Sequence, residues 1–500
     1  MRTIRVFMGM GRQNLLQVLQ KKGEHISASC GGIGVCKKCR VRFLRDAPEP
    51  TLTEKAVFTE KEVEEGWRLA CETEIFGEVE IAIPDGPDED SMVVESGFFT
   101  EGINSKRKAK TDSVVCNFGE SVMAVDIGTT TIAASLVDPF SKNILKTVTG
   151  VNHQRAFGAD VISRIHASNE GKGRALQRSI LGDLTGLAGK LGVSFENTPC
   201  IISANTTMEH LLEGLSCKTL GVSPYKPVDV SLHTFKNMTL LPGISTFVGA
   251  DIVSGIIACN MDCREQYSLL VDLGTNGEMV LGNREKMFVT STAAGPAFEG
   301  GNISCGMAGI PGAICSVSLT ENNRKIQTIG DEKPIGICGT GVLETVYELV
   351  KENYADETGL FGDNYFESGV LLAPGVVFTQ KDIREVQLAK GAIRAGIEIL
   401  MKEAEITPDE IERVYLAGGF GQKIAVDKAV GIGMIPKAFS GKIIAAGNSS
   451  LAGAVNFAFH PEMRERWEKV IGSSTEIPLA LHPKFHDLYL KYMNFTEIKE

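Results

Sequence analysis

No apolar run in this 500-residue chain reaches the roughly 18 residues that a membrane-spanning helix needs, so no membrane role is expected. The opening, MRTIRVFMGMGRQN, lacks the apolar core of a signal peptide, and the cytoplasm is the expected compartment. Positive charge is in deficit. With 51 Lys and Arg against 62 Asp and Glu the net charge is −11, and no long basic block offsets it, so nucleic acid is not an expected partner. Aromatic residues make up only 7% against 54 Gly, which disfavours an aromatic-cored sandwich and favours a turn-rich α/β protein. A Walker-type P-loop is missing, as is a convincing GxGxxG turn after a strand, and both of those routes to a nucleotide are closed.

What is present is an ordinary globular balance, 43% hydrophobic and 23% charged, too apolar for wholesale disorder. The chain is too long for one ordinary core, and two or more domains follow. Its 12 Cys do not read as a disulfide scaffold at this length. Three of them, Cys30, Cys36 and Cys39, fall within ten residues, and Cys71 follows. The other eight sit in apolar or Gly-rich surroundings, where a cysteine is usually a small buried side chain.

A first compact α+β unit is expected to end near Pro84. TIRVF (3–7) reads as a strand, LLQVLQKKG (15–23) as a short helix closed by Gly23, and KCRVRFL (38–44) as a half-buried strand. EKEVEEGWRLAC (60–71) gives a short helix or turn, and EVEIAIP (78–84) a closing strand. Clustered Pro, Gly and unpatterned charge then mark a linker over 85–119, whose KRKAK pentad reads as solvated chain rather than a nucleic-acid patch. From residue 120 strands alternate with helical stretches, the sign of α/β architecture. VMAVDIGTTTIAASLVD (122–138) is echoed by LLVDLGTNGEMVLGN (269–283), with Asp126 and Asp272 146 positions apart. That distance suggests two similar halves, not a solenoid.

The four clustered cysteines follow the pattern C-x5-C-x2-C-x31-C. Three thiolates on one loop and one from a distant element can surround a two-iron cluster, and Gly31, Gly32 and Gly34 let the loop aim backbone N–H groups at sulfur. Zinc is the natural competitor. Structural zinc sites usually bring ligands as two close pairs, however, and only Cys36/Cys39 is such a pair here. Four unconnected buried thiols would explain neither the Gly loop nor the hydrophilic CKKCR context.

For a nucleotide, the two Val-Asp-x-Gly-Thr turns are the candidates. Each places a carboxylate at a strand end, then Gly for close backbone approach, then Thr hydroxyl and N–H donors for phosphate oxygens. These are Asp126, Gly128, Thr129 and Thr130 in one turn, and Asp272, Gly274, Thr275 and Asn276 in the other. Asp126 and Asp272 would face Mg²⁺ through its retained waters. VYLAGGFG (414–421) runs into Gly418, Gly419 and Gly421, where the chain could lie flat against a base and ribose; a plain strand-to-helix turn explains it as well. Asp251 in VGADIVSG (248–255) is a candidate for positioning the attacking water or metal, or else an N-cap. ISANTTMEHLLEG (202–214) and AAGPAFEGGNISCGM (293–307) supply loops where a cleft needs them.

Residues 1–84 resemble the [2Fe–2S] ferredoxin domains of β-grasp fold with five residues between the first two cysteines. Such domains usually open with a full β-hairpin, whereas about one strand precedes MGMGRQN here. DIGTTT, DLGTNGE and LAGGFG, in that order over 120–500, resemble the phosphate-1, phosphate-2 and adenosine segments of the actin-like ATPases. The whole arrangement is similar to the ATP-dependent reductive activators of corrinoid proteins, found in methyl-transfer systems of anaerobes. Longer members carry an extra middle domain; with DIGTTT beginning soon after Pro84, this chain is expected to lack it.

The resemblance implies an α+β β-grasp ferredoxin-like domain (1–84), the linker (85–119) and a two-lobed α/β actin-like, ribonuclease H-like ATPase domain (120–500). It implies a [2Fe–2S] cluster, ATP and Mg²⁺, and an activity that returns an inactive Co(II) corrinoid to Co(I). The implied partners are a corrinoid protein of a methyltransferase system and a low-potential electron donor; a homodimer is one candidate quaternary state, which the resemblance leaves open. Three alternatives stay open: an electron activator of another metalloenzyme, an actin-fold small-molecule kinase with a regulatory cluster, and a non-catalytic, nucleotide-gated binding module.

Overall fold

The structure, a computed structural model, describes residues 1–7, 12–22, 24, 26, 37, 39–84, 121–320, 323–421 and 424–499. The expected linker lies outside the described residues, as do Gly23, Cys30 and Cys36.

Near the N-terminus, β1 (Arg2–Phe7), β2 (Arg40–Phe43), β3 (Trp67–Leu69) and β4 (Glu78–Ile83) form an antiparallel sheet in the order β1–β4–β2–β3. Val41 and Phe43 point inward in β2, the period-two pattern of a half-buried strand. Helix α1 (Leu15–Lys21) buries Leu15, Leu16, Val18 and Leu19 along one stripe against them, and the Asn14 side chain caps it by accepting from the Gln17 N–H. Strand β1 pairs antiparallel with β4 from Arg2↔Ile83 to Phe7↔Glu78. Residues 60–71 split into a helical turn, Glu60–Glu64, and strand β3. Gly66 makes the break: its φ is +88°, and a Cβ there would sit 2.5 Å from the Phe43 carbonyl oxygen.

Residues 122–476 hold two six-stranded sheets that share a five-strand topology, the sixth strand lying on opposite edges. The first contains β5 (Val122–Ile127), β6 (Thr131–Asp138), β7 (Asn143–Val151), β8 (Cys200–Ala204), β9 (His233–Phe235) and β10 (Met238–Leu240), ordered β9–β10–β8–β5–β6–β7. The second contains β11 (Tyr267–Leu273), β12 (Gly277–Gly282), β13 (Met287–Thr292), β14 (Ile411–Ala417), β15 (Ile443–Gly447) and β16 (Ser474–Glu476), ordered β15–β14–β11–β12–β13–β16. In each, three antiparallel strands joined by hairpins are followed by two parallel ones. The echo at Asp126 and Asp272 is therefore a repeat of topology as well as of sequence.

Two helices fill the space between the sheets: α2 (Ala250–Ala258) from the first half and α3 (Ser449–Phe459) from the second. Both are apolar nearly all round, as a helix buried on every side must be. They cross closely. A Cβ on Gly255 would meet the Ser449 hydroxyl at 2.9 Å, and one on Gly453 would meet Ser254 Cβ at 2.4 Å. No described helix is long and apolar enough to cross a membrane.

One buried acid ties the N-terminal unit together. Glu54 is 1% exposed, and its two oxygens accept from the Thr51 N–H at 2.8 Å and the Leu69 N–H at 2.6 Å. Glu54→Ala leaves the Leu69 amide buried and unpaired, so hydrogen exchange at Leu69–Cys71 should accelerate roughly tenfold or more, with the two large sheets unaffected. Unchanged protection at Leu69 would contradict this.

Candidate functional site

The ladder of β2 with β3 brings two of the four candidate cysteines together. Cys39 precedes β2 and is 1% exposed, and Cys71 follows β3. The Ala70 N–H donates to the Cys39 carbonyl at 2.8 Å, and the Cys71 N–H points at Cys39 Sγ at 3.5 Å. Asn14, the cap of α1, donates to the Cys71 carbonyl at 2.7 Å. Two thiols converging under a backbone N–H donor suit an iron–sulfur group, whose potential responds to such hydrogen bonds.

The second site lies between the two sheets. The hairpin β5–β6 carries Asp126 at its strand end and Gly128, Thr129 and Thr130 in its turn; β11–β12 carries Asp272, Gly274, Thr275 and Asn276 in the matching place. Each turn is closed by its own backbone, Gly128 N–H to Thr131 O at 3.0 Å and Gly274 N–H to Asn276 O at 3.1 Å. The first is also braced from outside. The Asn152 amide donates to Gly128 O at 2.9 Å, and the buried Arg164 guanidinium donates to Thr129 O at 2.6 Å. Asp126 is held across the cleft by residues of the other half: Asn448 Nδ2 at 2.8 Å and Ser450 Oγ at 2.7 Å.

Strand β14 runs beside β11, with Ala417 opposite Asp272, and ends in the short helix Gly418–Gly421. Gly418 has φ +88°, and a Cβ on it would stand 2.7 Å from Asp272 Oδ1. Among the described residues nothing stands within 4 Å of the Gly419 Cβ position. Asp251 is not the N-cap of α2; Gly249 is, because a Cβ at 249 would meet Asn205 Cα at 2.6 Å. Asp251 stands in the first turn, its Oδ1 accepting from the Ile252 N–H.

Glu299, Asn448, Ser450 and Arg164 were not legible as site residues in the sequence. Glu299 Oε2 accepts from both Thr130 Oγ1 and Thr275 Oγ1, each at 2.9 Å, and so bridges the two turns. The nearest signals were the acid inside the Gly-rich run AAGPAFEGGN, and Asn-Ser-Ser at 448–450 after a strand, a helix-start pattern.

The cleft crowds negative charge. Burial, then Asp251, Asp126 and Glu299, push Asp272 up to about 8, and burial with Asp126 pushes Asp251 up to about 7. Burial raises Asp126 too, against the pull of its Ser450 and Asn448 donors. Glu278, beside the second turn, is raised by burial, Asp251 and Asp272. Carboxylates packed in this way, with backbone and hydroxyl donors between them, have the chemistry to receive a polyanion accompanied by a divalent cation.

Comparisons with known proteins settle the lineage. Residues 5–75 match the 2Fe–2S iron–sulfur cluster binding domain, 121–264 match the RACo middle region, and 266–500 match the C-terminal domain of RACo, the ASKHA domain. The corrinoid activation enzyme RamQ of Eubacterium limosum is 31% identical over 421 residues, 75% of this chain and 70% of that one. The chain belongs to the RACo-like family of corrinoid activators. The [Co(II) methylated amine-specific corrinoid protein] reductase of Methanosarcina barkeri is 28% identical over 51% of each chain. A solved reductive activator for corrinoid, iron-sulfur protein superposes with a TM-score of 0.69 at 25% identity, over 96% of this chain and 95% of that one. The RACo-like architecture is thus a ferredoxin domain followed by an actin-like ATPase. The family's middle region, matched at 121–264, coincides with the first sheet and its helices and so includes the DIGTTT turn.

Two predictions follow from this geometry. Gly418→Ala should cut nucleotide hydrolysis more than tenfold by straining a left-handed φ and pressing on Asp272, whereas Gly419→Val should fold normally and only weaken nucleotide binding, read by thermal melts beside equilibrium titration. The second concerns pH. Asp272, raised from 3.8 to about 8, keeps its proton in the folded state where the unfolded chain releases it. Stability therefore falls as pH rises between those values and levels off above the upper one. In urea without added Mg²⁺ or nucleotide, wild type should lose more stability than Asp272→Asn between about pH 6 and about pH 8. Equal losses would remove Asp272 as the source.

Proposed function

We propose that this protein is an ATP-driven, one-electron reductive activator that returns a Co(II) corrinoid protein to Co(I). The observation that carries the reading is the union, in one chain, of a ferredoxin unit with a two-turn, two-sheet nucleotide cleft. Cys30, Cys36, Cys39 and Cys71 would hold the [2Fe–2S] cluster, which supplies one-electron transfer when bound. The turn donors at Gly128–Thr130 and Gly274–Asn276 would take the phosphates, and Gly418, Gly419 and Gly421 the adenosine. Asp126 and Asp272 would face Mg²⁺ through its waters. Among the described residues no three His, Cys, Asp or Glu stand close enough to ligate an ion directly, which suits that arrangement. Asp251, in the first turn of α2, would position the attacking water and hold its proton.

The coupling has a physical rationale. Plant-type clusters sit near about −400 mV, and each ~59 mV of uphill one-electron transfer costs tenfold in equilibrium. A step several such factors uphill needs a second reaction. Closure of the cleft on ATP, and its release on hydrolysis, supply it if the two states bind the Co(II) partner with different affinity. The low-potential donor and the cytoplasmic setting belong to the same proposal.

Reduced full-length protein mixed with a Co(II) corrinoid protein should give the Co(I) absorption spectrum with Mg-ATP, and much less with a non-hydrolysable analogue. A chain starting at Ser121 should bind ATP but deliver no electron. Equal Co(I) yield without nucleotide would refute ATP coupling, and the kinase and gating alternatives would then lead.

A further inference from the structure

Glu299 closes the one-turn helix Pro296–Glu299 in the loop between β13 and the next sheet. Two glycines bracket that turn, Gly295 with φ +79° and Gly300 with φ +76°. On one side the loop is tied to the second hairpin, Gly295 N–H to Thr275 O at 2.9 Å. On the other it is anchored at Ser304, whose N–H and hydroxyl donate to Asp382 Oδ1 at 2.7 and 2.9 Å. Between these ends Ala297 and Phe298 are buried in the core, and Glu299 is the residue of the turn that faces the two hairpins.

The Glu299 carboxylate enters the cleft and takes three donors. One oxygen receives the Thr130 hydroxyl from the first sheet and the Thr275 hydroxyl from the second, and the Thr275 backbone N–H points at the same carboxylate. The buried Arg164, which braces the first turn, adds its positive field from the same side. An anionic oxygen centred between two hydroxyls and an N–H, one donor set from each half of the cleft, occupies the place that the nucleotide's terminal phosphate oxygen would need. The donors cannot serve both at once. The two anions would also repel one another across a site of low dielectric.

We propose that Glu299 is a built-in phosphate surrogate: its carboxylate fills the anion hole shared by the two hairpin turns, and the terminal phosphates of the nucleotide displace it. Displacement swings the Gly295–Gly300 segment, so the loop reports whether the cleft holds a triphosphate. The inference rests on the ATP reading of the two turns and adds to it a residue whose removal strengthens binding. Most site residues do the opposite.

The test is equilibrium titration of the full chain with the Mg²⁺ complex of a non-hydrolysable ATP analogue, with AMP as a control that lacks the terminal phosphates. Glu299→Ala, and the neutral near-isostere Glu299→Gln should Ala fail to fold, should bind the analogue roughly tenfold tighter, the scale of one or two charge-assisted hydrogen bonds no longer competed for, with AMP affinity unchanged. In wild type, hydrogen exchange over 296–301 should rise when the analogue binds. Weaker or unaltered analogue binding by the folded variant would overturn the proposal, as would unchanged or slower exchange in wild type; it would then be a ligand or acid of the reaction itself. If wild type failed to bind the analogue at all, the ATP reading, and not the role of Glu299, would be the part that fell.

Discussion

The cleft depends on one carboxylate being held from the far side. Asp126 belongs to the first sheet, yet its two oxygens receive Asn448 and Ser450 from the second half of the fold. Asn448 does this while capping α3, its Oδ1 taking the Leu451 N–H at 2.7 Å and its Nδ2 reaching Asp126. Because an ionised carboxylate only accepts, the Ser450 hydroxyl must donate to Asp126 and accept from Ser203, which lies 2.9 Å away. Ser203 in turn meets Ser254 of α2 at 2.8 Å. A directed chain of hydroxyls thus runs from the helix bearing Asp251 to the strand end bearing Asp126. This directional chain, running beside the largely apolar contact between α2 and α3, helps to fix the angle at which the two hairpin turns face each other.

Electrostatics makes the same cleft selective. Asp126, Asp251, Asp272, Glu278 and Glu299 are all raised, burial being the largest cause in each. Bare phosphates would meet this wall unfavourably, and a nucleotide arriving with a divalent cation would meet it favourably. On the proposed reading, a metal-nucleotide complex would be discriminated from free nucleotide by charge, before any contact with the base. The cost falls on the unliganded protein, which carries crowded carboxylates that only protonation or a cation relieves.

What could be read in the sequence was what lies contiguous in it. The two Val-Asp-x-Gly-Thr turns, strand β2, helix α1 and the closing strand β4 each show their pattern within a dozen residues. The bridging contacts could not be read, because the Thr130–Glu299 and Ser450–Asp126 pairs are separated by 169 and 324 residues. Strand β3 escaped notice for another reason. With three residues it is too short to show alternation, and the signal that ends the preceding turn is a steric one, the approach of Gly66 to Phe43. Asp251 was open to an N-cap reading because Asp is a good cap by composition. Packing decided otherwise, since only glycine fits at 249 against Asn205.

The two halves match in topology and differ in chemistry at the equivalent point. In the first, Asp126 faces Ser203 across the parallel pair β5–β8 and is gripped by side-chain donors. In the second, Asp272 faces Ala417 across β11–β14, with Gly418 against it, and no described side chain donates to it. One carboxylate is therefore fixed in position by donors that oppose the rise its burial causes. The other responds to whatever charge enters the cleft. If one nucleotide binds between the halves, as proposed, the gripped acid would fix where its cation sits and the ungripped acid would respond to its charge. Asp272 also stands against the start of the Gly418–Gly421 turn, so on the same proposal one strand end would meet both the phosphates and the adenosine.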